Sequence, residues 1–314
     1  MKTIVRIALM LGVAIVIAVA LVRQPVWSGR PYDVRTRSDP RTLHRHVVLL
    51  THVPRCADQP RELDRAAAYI QQMFRASGGR VSSQEFAARG RQYRNVMVAF
   101  GPAPTKEQPL MIVGAHYDVF CNGAALPGAD DNASGTAGLL ELARLLGAHP
   151  PTRPLLLVAY TTEEPPFFAS AQMGSAVHAE SLKDTPVAGM ICLEMIGYYA
   201  EEQRWPNVTF AALYPSRGDF IAVGGGWNDR HLARDVKRGL LGARGIRALS
   251  FTGPRTTMDA SDQRNYWSLG IPAVLVTDTA FLRNPNYHTR GDTAETLDYT
   301  RMARVVDGVF NAVR

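Results

Sequence analysis

Apolar strands alternating with helices predict an α/β domain whose sheet is covered on both faces. Two observations carry this expectation. Leu110–Val113, Leu155–Thr161 and Ala273–Val276 are continuous apolar runs, the pattern of strands buried on both sides. Between such runs, apolar residues recur at helical spacing, as Leu63, Ala67, Ile70 and Phe74 do within 61–77.

The elements follow in chain order. The Leu63 to Phe74 spacing predicts a helix over 61–77. Residues 81–86 and 93–100 read as paired strands turning at Gly90. A strand at 110–113 leads into Gly114-Ala115-His116. Residues 134–147 read as a helix with Ser134 as its N-cap and Gly147 at its end. A strand at 155–161, a helix at 173–182 and a strand at 187–195 come next. The remaining expectations are a strand at 220–223, a helix at 231–241, a strand at 273–276 and a last helix at 300–313.

The first 23 residues differ in composition. Lys2 and Arg6 precede an uncharged run from Ile7 to Val22, closed by Arg23. Sixteen residues make a helix of about 24 Å, short of the ~30 Å hydrocarbon core, although flanking arginines extend its reach. Two readings stand. Ala18-Val19-Ala20 resembles a signal-peptide cleavage site, and the same features fit an uncleaved membrane anchor. Either one places the later residues outside the cytoplasm, in the periplasm or the extracellular space. There Cys56 and Cys121 could pair, while Cys192 lies in an apolar strand. Residues 24–45 carry Pro25, Pro31 and Pro40 and read as a linker, leaving 46–314 as one domain.

The formal charge of +7 comes from 35 Lys+Arg against 28 Asp+Glu, and only four of the cations are Lys. They are scattered with no run of five or more, so no nucleic-acid partner is expected.

Chemistry collects just past the strands. His116 and Asp118 follow one strand; Asp130 and Asp131 precede a helix; Glu163 and Glu164 follow the next strand. Glu194 closes the run Met190-Ile191-Cys192-Leu193, and His288 and Asp292 come after the strand at 273–276. Open α/β sheets place their sites at the carboxyl ends of strands, so these segments can converge. Carboxylates with imidazoles and no thiolate suit zinc or a similar divalent ion. The number of candidate ligands suits two ions sharing one carboxylate. A carboxylate beside such a pair serves as a proton shuttle.

Several stretches together resemble the co-catalytic zinc aminopeptidases, metallopeptidase family 28, which also contains the glutaminyl cyclases. They are Gly114-Ala115-His116-Tyr117-Asp118, Pro127 to Gly135, Thr162-Glu163-Glu164 and Leu193 to Gly197. Ser261-Asp262, Gly270 to Ala273 and Tyr287 to Thr293 complete the set, in the same order, over about 60–312.

The resemblance implies a three-layer α/β/α fold with a central mixed, mostly parallel sheet. It implies that two zinc ions are held by His116, Asp130, Glu164, Glu194 and His288, with Asp130 bridging. Glu163 is then the general base acting on the bridging water, Asp118 orients His116, and Tyr287 either stabilises an oxyanion or packs as an aromatic. A cis peptide is expected after Asp130. The sequence departs from the family at Glu194, where Asp is common, and at Gln263, where His is common. Pro165-Pro166-Phe167-Phe168 replaces a commoner glycine-containing turn, and its rings are candidates to wall a pocket, as are Tyr198, Tyr199, Trp205, Phe210 and Tyr214.

The implied activity is exopeptidase hydrolysis at peptide or protein N-termini, with carboxypeptidase or dipeptidase action still open. A one-zinc glutaminyl cyclase is the alternative, and a non-catalytic binding ectodomain is a third reading.

Overall fold

In the computed structural model, which describes residues 2–29, 37–123 and 126–314, the apolar runs become the strands of one sheet. The chain begins with α1 (Lys2–Arg23), α2 (Pro40–Thr51) and α3 (Pro60–Ala76), then the hairpin β1 (Arg80–Ala88) and β2 (Arg91–Phe100). Next come β3 (Leu110–His116), α4 (Gly135–Ala148), β4 (Leu155–Tyr160), α5 (Gly174–Glu180) and β5 (Val187–Leu193). The second half runs α6 (Val208–Leu213), β6 (Phe220–Gly226), α7 (Arg230–Gly242), β7 (Arg247–Gly253), α8 (Gln263–Ser268), β8 (Ala273–Thr277) and α9 (Tyr299–Val313).

The strand order is β1-β2-β4-β3-β5-β8-β6-β7. Four neighbouring pairs are parallel (β4/β3, β3/β5, β5/β8 and β6/β7), and three are antiparallel. The sheet is therefore mixed, with a parallel centre. Side chains alternate between its faces. In β5, Ile191 and Leu193 join the larger core with α2, α3, α4, α7 and α9, whereas Met190 and Cys192 join a smaller core with Tyr266 and Trp267 of α8. That alternation produces the three layers. The central strands are buried almost throughout, while the edge hairpin strand β1 is mostly exposed.

The parallel register decides where the site forms. Gly114 lies beside Val158 on one side and Cys192 on the other, and Cys192 lies beside Leu275. The carboxyl ends of β3, β4, β5 and β8 therefore share one edge of the sheet. The chain leaves β3 first for β4 on one flank, then for β5 on the other. A crevice opens where the strand order reverses in this way.

Five local differences from the sequence expectations have physical causes. The folded body starts before residue 46: Asp39 caps α2 by accepting from the Arg41 amide, Pro40 starts the helix, and Leu43 is buried. The linker expected at 24–45 is thus tied down at its far end, and its residues 30–36 lie outside the described ones. Helix α1 takes in Arg6 and Arg23, and its apolar span Ile4–Arg23 has 20 residues, enough for about 30 Å. Ser134 is itself helical and bonds back to the Asp130 carbonyl instead of capping α4. Gly147 lies inside α4, where a Cβ would collide with the Ser77 carbonyl. Helices α2, α6 and α8 and strand β7 are additional elements: α6 and α8 have six residues each, and α2 starts within the stretch whose prolines suggest a linker.

Two buried histidines set an acid limit. Burial lowers His178 to about 4, and burial with the nearby charges of Arg45 and Arg144 lowers His46 to about 4. Each imidazole hydrogen-bonds a tyrosine hydroxyl, Tyr266 and Tyr69 respectively. Between the ordinary value of 6.5 and about 4 the unfolded chain binds the extra protons. The contribution of these two histidines is therefore full above about 6.5 and is lost as pH drops through that window, by up to about 3 kcal/mol for His178. Thermal unfolding of wild type and His178→Gln side by side from pH 7.5 to 4 reads this contribution: wild type is expected to lose stability relative to His178→Gln as pH falls through the window.

Candidate metal centre

Five segments meet at the carboxyl edge of the sheet. His116 ends β3; Glu163 and Glu164 follow β4; Glu194 follows β5; His288 lies on the loop after β8; Asp131 sits in the turn before α4. All are buried except His288, which is partly exposed. One oxygen of Asp131 lies 3.4 Å from His116 Nε2, and the other lies 3.0 Å from His288 Nε2. Glu194 approaches His116 Nε2 at 3.3 Å, and Glu163 approaches it at 3.8 Å. Glu164 lies 3.4 Å from His288 Nε2.

This arrangement changes one assignment. The position between the histidines belongs to Asp131, not to Asp130. Asp292 accepts from the Asp130 and Asp131 amides at 2.9 and 3.0 Å and so sets the turn. Within it the two side chains diverge. Asp130 accepts from the Gly197 amide and the Asn284 side chain, at 3.0 and 2.8 Å. These two bonds tie the loops after β5 and β8 together, and burial with the charge of Asp278 pushes the Asp130 carboxyl well up. The cis peptide lies between Asp131 and Asn132, one residue later than expected.

The electrostatics call for a cation. Burial raises Glu163 far above the usual carboxylate range, and burial together with Asp131 raises Glu164 to about 7. Burial would lower both histidines. It is outweighed at His116 by Glu194 and Glu163, which lift the imidazole well up, and at His288 by Asp131 and Glu164, which hold it at about 9. Too much negative charge is thus buried in one place. Donor atoms of His116, Asp131 and Glu164 lie within 4.8 Å of one another. Buried Glu164 Oε1 and His288 Nε2 have no properly directed hydrogen bond, although they are close to each other. Atoms that converge without bonding one another fit a shared metal ion, and this donor set suits zinc. Cys56, Asp58 and Cys121 also cluster, but the two sulfurs form a disulfide and are unavailable.

Supporting residues hold the donors. Asp118 accepts from the Glu163 and Glu164 amides at 3.2 and 3.1 Å, and its Oδ1 lies 3.5 Å from His116 Nδ1. It therefore couples both strand ends, a wider role than orienting His116. Ser261 donates to Glu194 at 2.6 Å. The Asn132 side chain donates to the Leu193 carbonyl and accepts from the Met195 amide. Arg55, wholly buried, donates to the carbonyls of Tyr117, Pro127 and Gly128, next to the Cys56–Cys121 disulfide. Ser261 and Asn132 lie inside recognisable motifs. Arg55 has no signal in the sequence, because its partners are backbone carbonyls about 60–70 residues away.

The aromatic residues divide. Tyr287 and Phe120 stack on His288 with centroids 3.8 and 4.1 Å away, so Tyr287 packs on the imidazole. Phe168 walls the cleft over Glu163 and Glu164, while Phe167 is buried against Tyr93. An apolar cavity of about 400 Å³ adjoins the donors, walled by Trp205, Phe210, Phe251, Met258 and Phe281 and bordered by Glu194 and Tyr287. Tyr198, Tyr199 and Tyr214 do not line it.

The sequence profile of peptidase family M28 matches residues 95–313. The chain belongs to peptidase family M28. This M28 chain is 48% identical over 299 residues to the uncharacterized protein YfbL of Escherichia coli K12, covering 91% of each. Its fold matches an aminopeptidase from Aneurinibacillus with a TM-score of 0.68 at 17% identity, over 88% of this chain and 93% of that one. It matches a glutaminyl cyclase from Bacteroides thetaiotaomicron with a TM-score of 0.65 at 17% identity, over 88% and 98%. At such identities these two likenesses establish the zinc-exopeptidase fold of the M28 chain.

The two neighbouring aspartates separate in a metal assay. Asp131→Asn is expected to lose most bound zinc. Asp130→Asn is expected to weaken binding by no more than about 10–100-fold. Elemental analysis of protein dialysed against buffered zinc reads both.

Proposed function

We propose that this chain is a zinc-dependent aminopeptidase acting on peptide N-termini that carry an apolar first residue. The observation that carries the reading is Asp131 facing both histidines beside an apolar cavity bordered by Glu194. His116, Asp131 and Glu194 would hold one zinc, and Asp131, Glu164 and His288 a second. Zinc bound there supplies Lewis acidity, which acidifies water and polarises a carbonyl.

The protein's own groups do the rest. Glu163 stands 3.8 Å from His116 Nε2, and its carboxyl, raised by burial, suits a group that takes a proton and returns it to the departing amine. Asp118 holds the Glu163 backbone through its amide and so sets where the side chain of the base starts. The acidic cluster accepts the substrate's ammonium, and the cavity takes its first side chain. Phe168 shields the cleft from water. Presence of both His116 and His288 supports two ions rather than the one of a cyclase. Helix α1 reads as a membrane segment, and the Cys56–Cys121 disulfide supports an oxidising compartment for the body.

Glu163→Gln is expected to lower kcat on aminoacyl amides by about 10²–10⁴-fold while zinc content holds. Full activity in that variant would remove Glu163 from the role of base. Profiling a peptide library by mass spectrometry reads cleavage from the amino end, cleavage from the carboxyl end, or cyclisation of N-terminal Gln. Ala260 is exposed and borders both the cavity and the cleft. Ala260→Trp is therefore expected to cut kcat/KM for Leu and Phe N-termini by about 10–200-fold relative to Ala.

A further inference from the structure

The end of α1 is built into the catalytic body. Its last carbonyls have no partner within the helix and face outward. Thr252 Oγ1 donates to the Leu21 carbonyl at 2.6 Å, and Ser250 Oγ donates to the Arg23 carbonyl at 2.8 Å. Lys237 Nζ donates to the carbonyls of Arg23 and Gln24 at 3.0 and 3.2 Å. A lysine at a helix carboxyl end also suits its dipole. Gln24, 1% exposed, bonds Thr252 and accepts from Arg234. The donors lie on β7 and α7, so the apolar helix leaves the body at the β7 edge of the sheet.

The same patch continues into α6. The Arg23 guanidinium lies 5.6 Å from the centre of the Tyr214 ring, directly after α6, and the Tyr214 hydroxyl donates to the Ser250 carbonyl. Helix α6 has the sequence VTFAAL and not one buried residue. Val208 is 84% exposed. Phe210 of α6 and Phe281, itself 60% exposed, wall the apolar cavity. Trp27, just beyond α1, is 96% exposed. Apolar and aromatic side chains exposed beside a membrane-length helix suit the bilayer interface.

We propose that α1 remains attached in the mature protein and that its docked end seats the exposed face of α6 on the same bilayer. The partner is the lipid surface, and the apolar cavity opens at that surface, toward N-termini that lie in the interface. This rests on the reading of α1 as a membrane segment. Residues 18–24 support retention, because proteases prefer exposed loops and this stretch is helical and then docked. The opposite sheet edge, β1, lies seven strand spacings away, about 34 Å.

The test uses the full chain in vesicles of equal parts phosphatidylethanolamine and phosphatidylglycerol. Val208→Cys and, separately, Ser82→Cys on exposed β1 carry a nitrobenzoxadiazole label. Cys192 is buried and the other cysteines are joined, so labelling is selective. Quenchers are lipids with a spin label near the headgroup. Retention of α1 predicts an intact mass, from residue 1, for chain recovered from host membranes. The seating predicts loss of most fluorescence at position 208 and none at 82. A chain that fails to pellet with vesicles, or is recovered shortened by about 20 residues, overturns the membrane-anchor reading together with the proposal. A pelleted, intact chain with position 208 unquenched, or with both positions quenched alike, overturns the seating alone.

Discussion

Buried negative charge at one edge of the sheet is the constraint on which the rest of the molecule depends. Asp131, Glu163, Glu164 and Glu194 sit together with two imidazoles, and all four carboxylates are nearly sealed from water. Two carboxylates about 4 Å apart repel by roughly 4 kcal/mol at a protein-like dielectric. Nothing in the apolar core repays that. The fold tolerates the cluster because protons or a metal cation can neutralise it, and because Asp118 and Asp292 hold the backbone of Glu163, Glu164 and Asp131 while Ser261 holds the Glu194 carboxylate. A site this costly persists where it has a chemical task.

The sheet does the assembling. Parallel pairing of β4, β3, β5 and β8 brings their carboxyl ends to one edge; β3, β4 and β5 release a donor at once, and β8 delivers His288 after a longer loop. Left-handed residues redirect the chain there: Thr162 before Glu163, Met195 after Glu194, and His288 itself have φ of 55°, 51° and 55°. Such conformations cost roughly 1–3 kcal/mol each for residues other than glycine. Cross-chain ties, Asp118 to two amides after β4 and Asp292 to two amides before α4, hold the redirected segments.

The central strands were legible because residues buried on both faces must be apolar throughout, and few other elements look like Leu155–Tyr160. The donor set was legible for a similar reason: carboxylates and imidazoles directly after apolar strands have little other use. The cavity was legible only in part. Trp205 and Phe210 do wall it, but their neighbour Tyr214 turns to the β7 edge, and Phe251 and Met258 come from segments without any distinguishing pattern. Helix α6 buries none of its residues and so carries no periodic signal, whereas α2 does space Leu43, Val47 and Leu50 helically but sits where Pro31 and Pro40 suggest a linker.

By itself the sequence determined the kinds of residue at the strand ends, their order and the alternation of elements that forces a layered α/β fold. These are local properties, written in spacing along the chain. Tertiary structure decided which of two adjacent aspartates faces the histidines, that Cys56 and Cys121 join, and that the end of α1 docks on Lys237, Ser250 and Thr252. The physical reason is the same in each case. The direction of a side chain in an irregular turn, or the partner of a helix's last carbonyl, is set by groups brought from far along the chain. Asp292 acts on Asp130 across 162 residues. No spacing rule reaches that far.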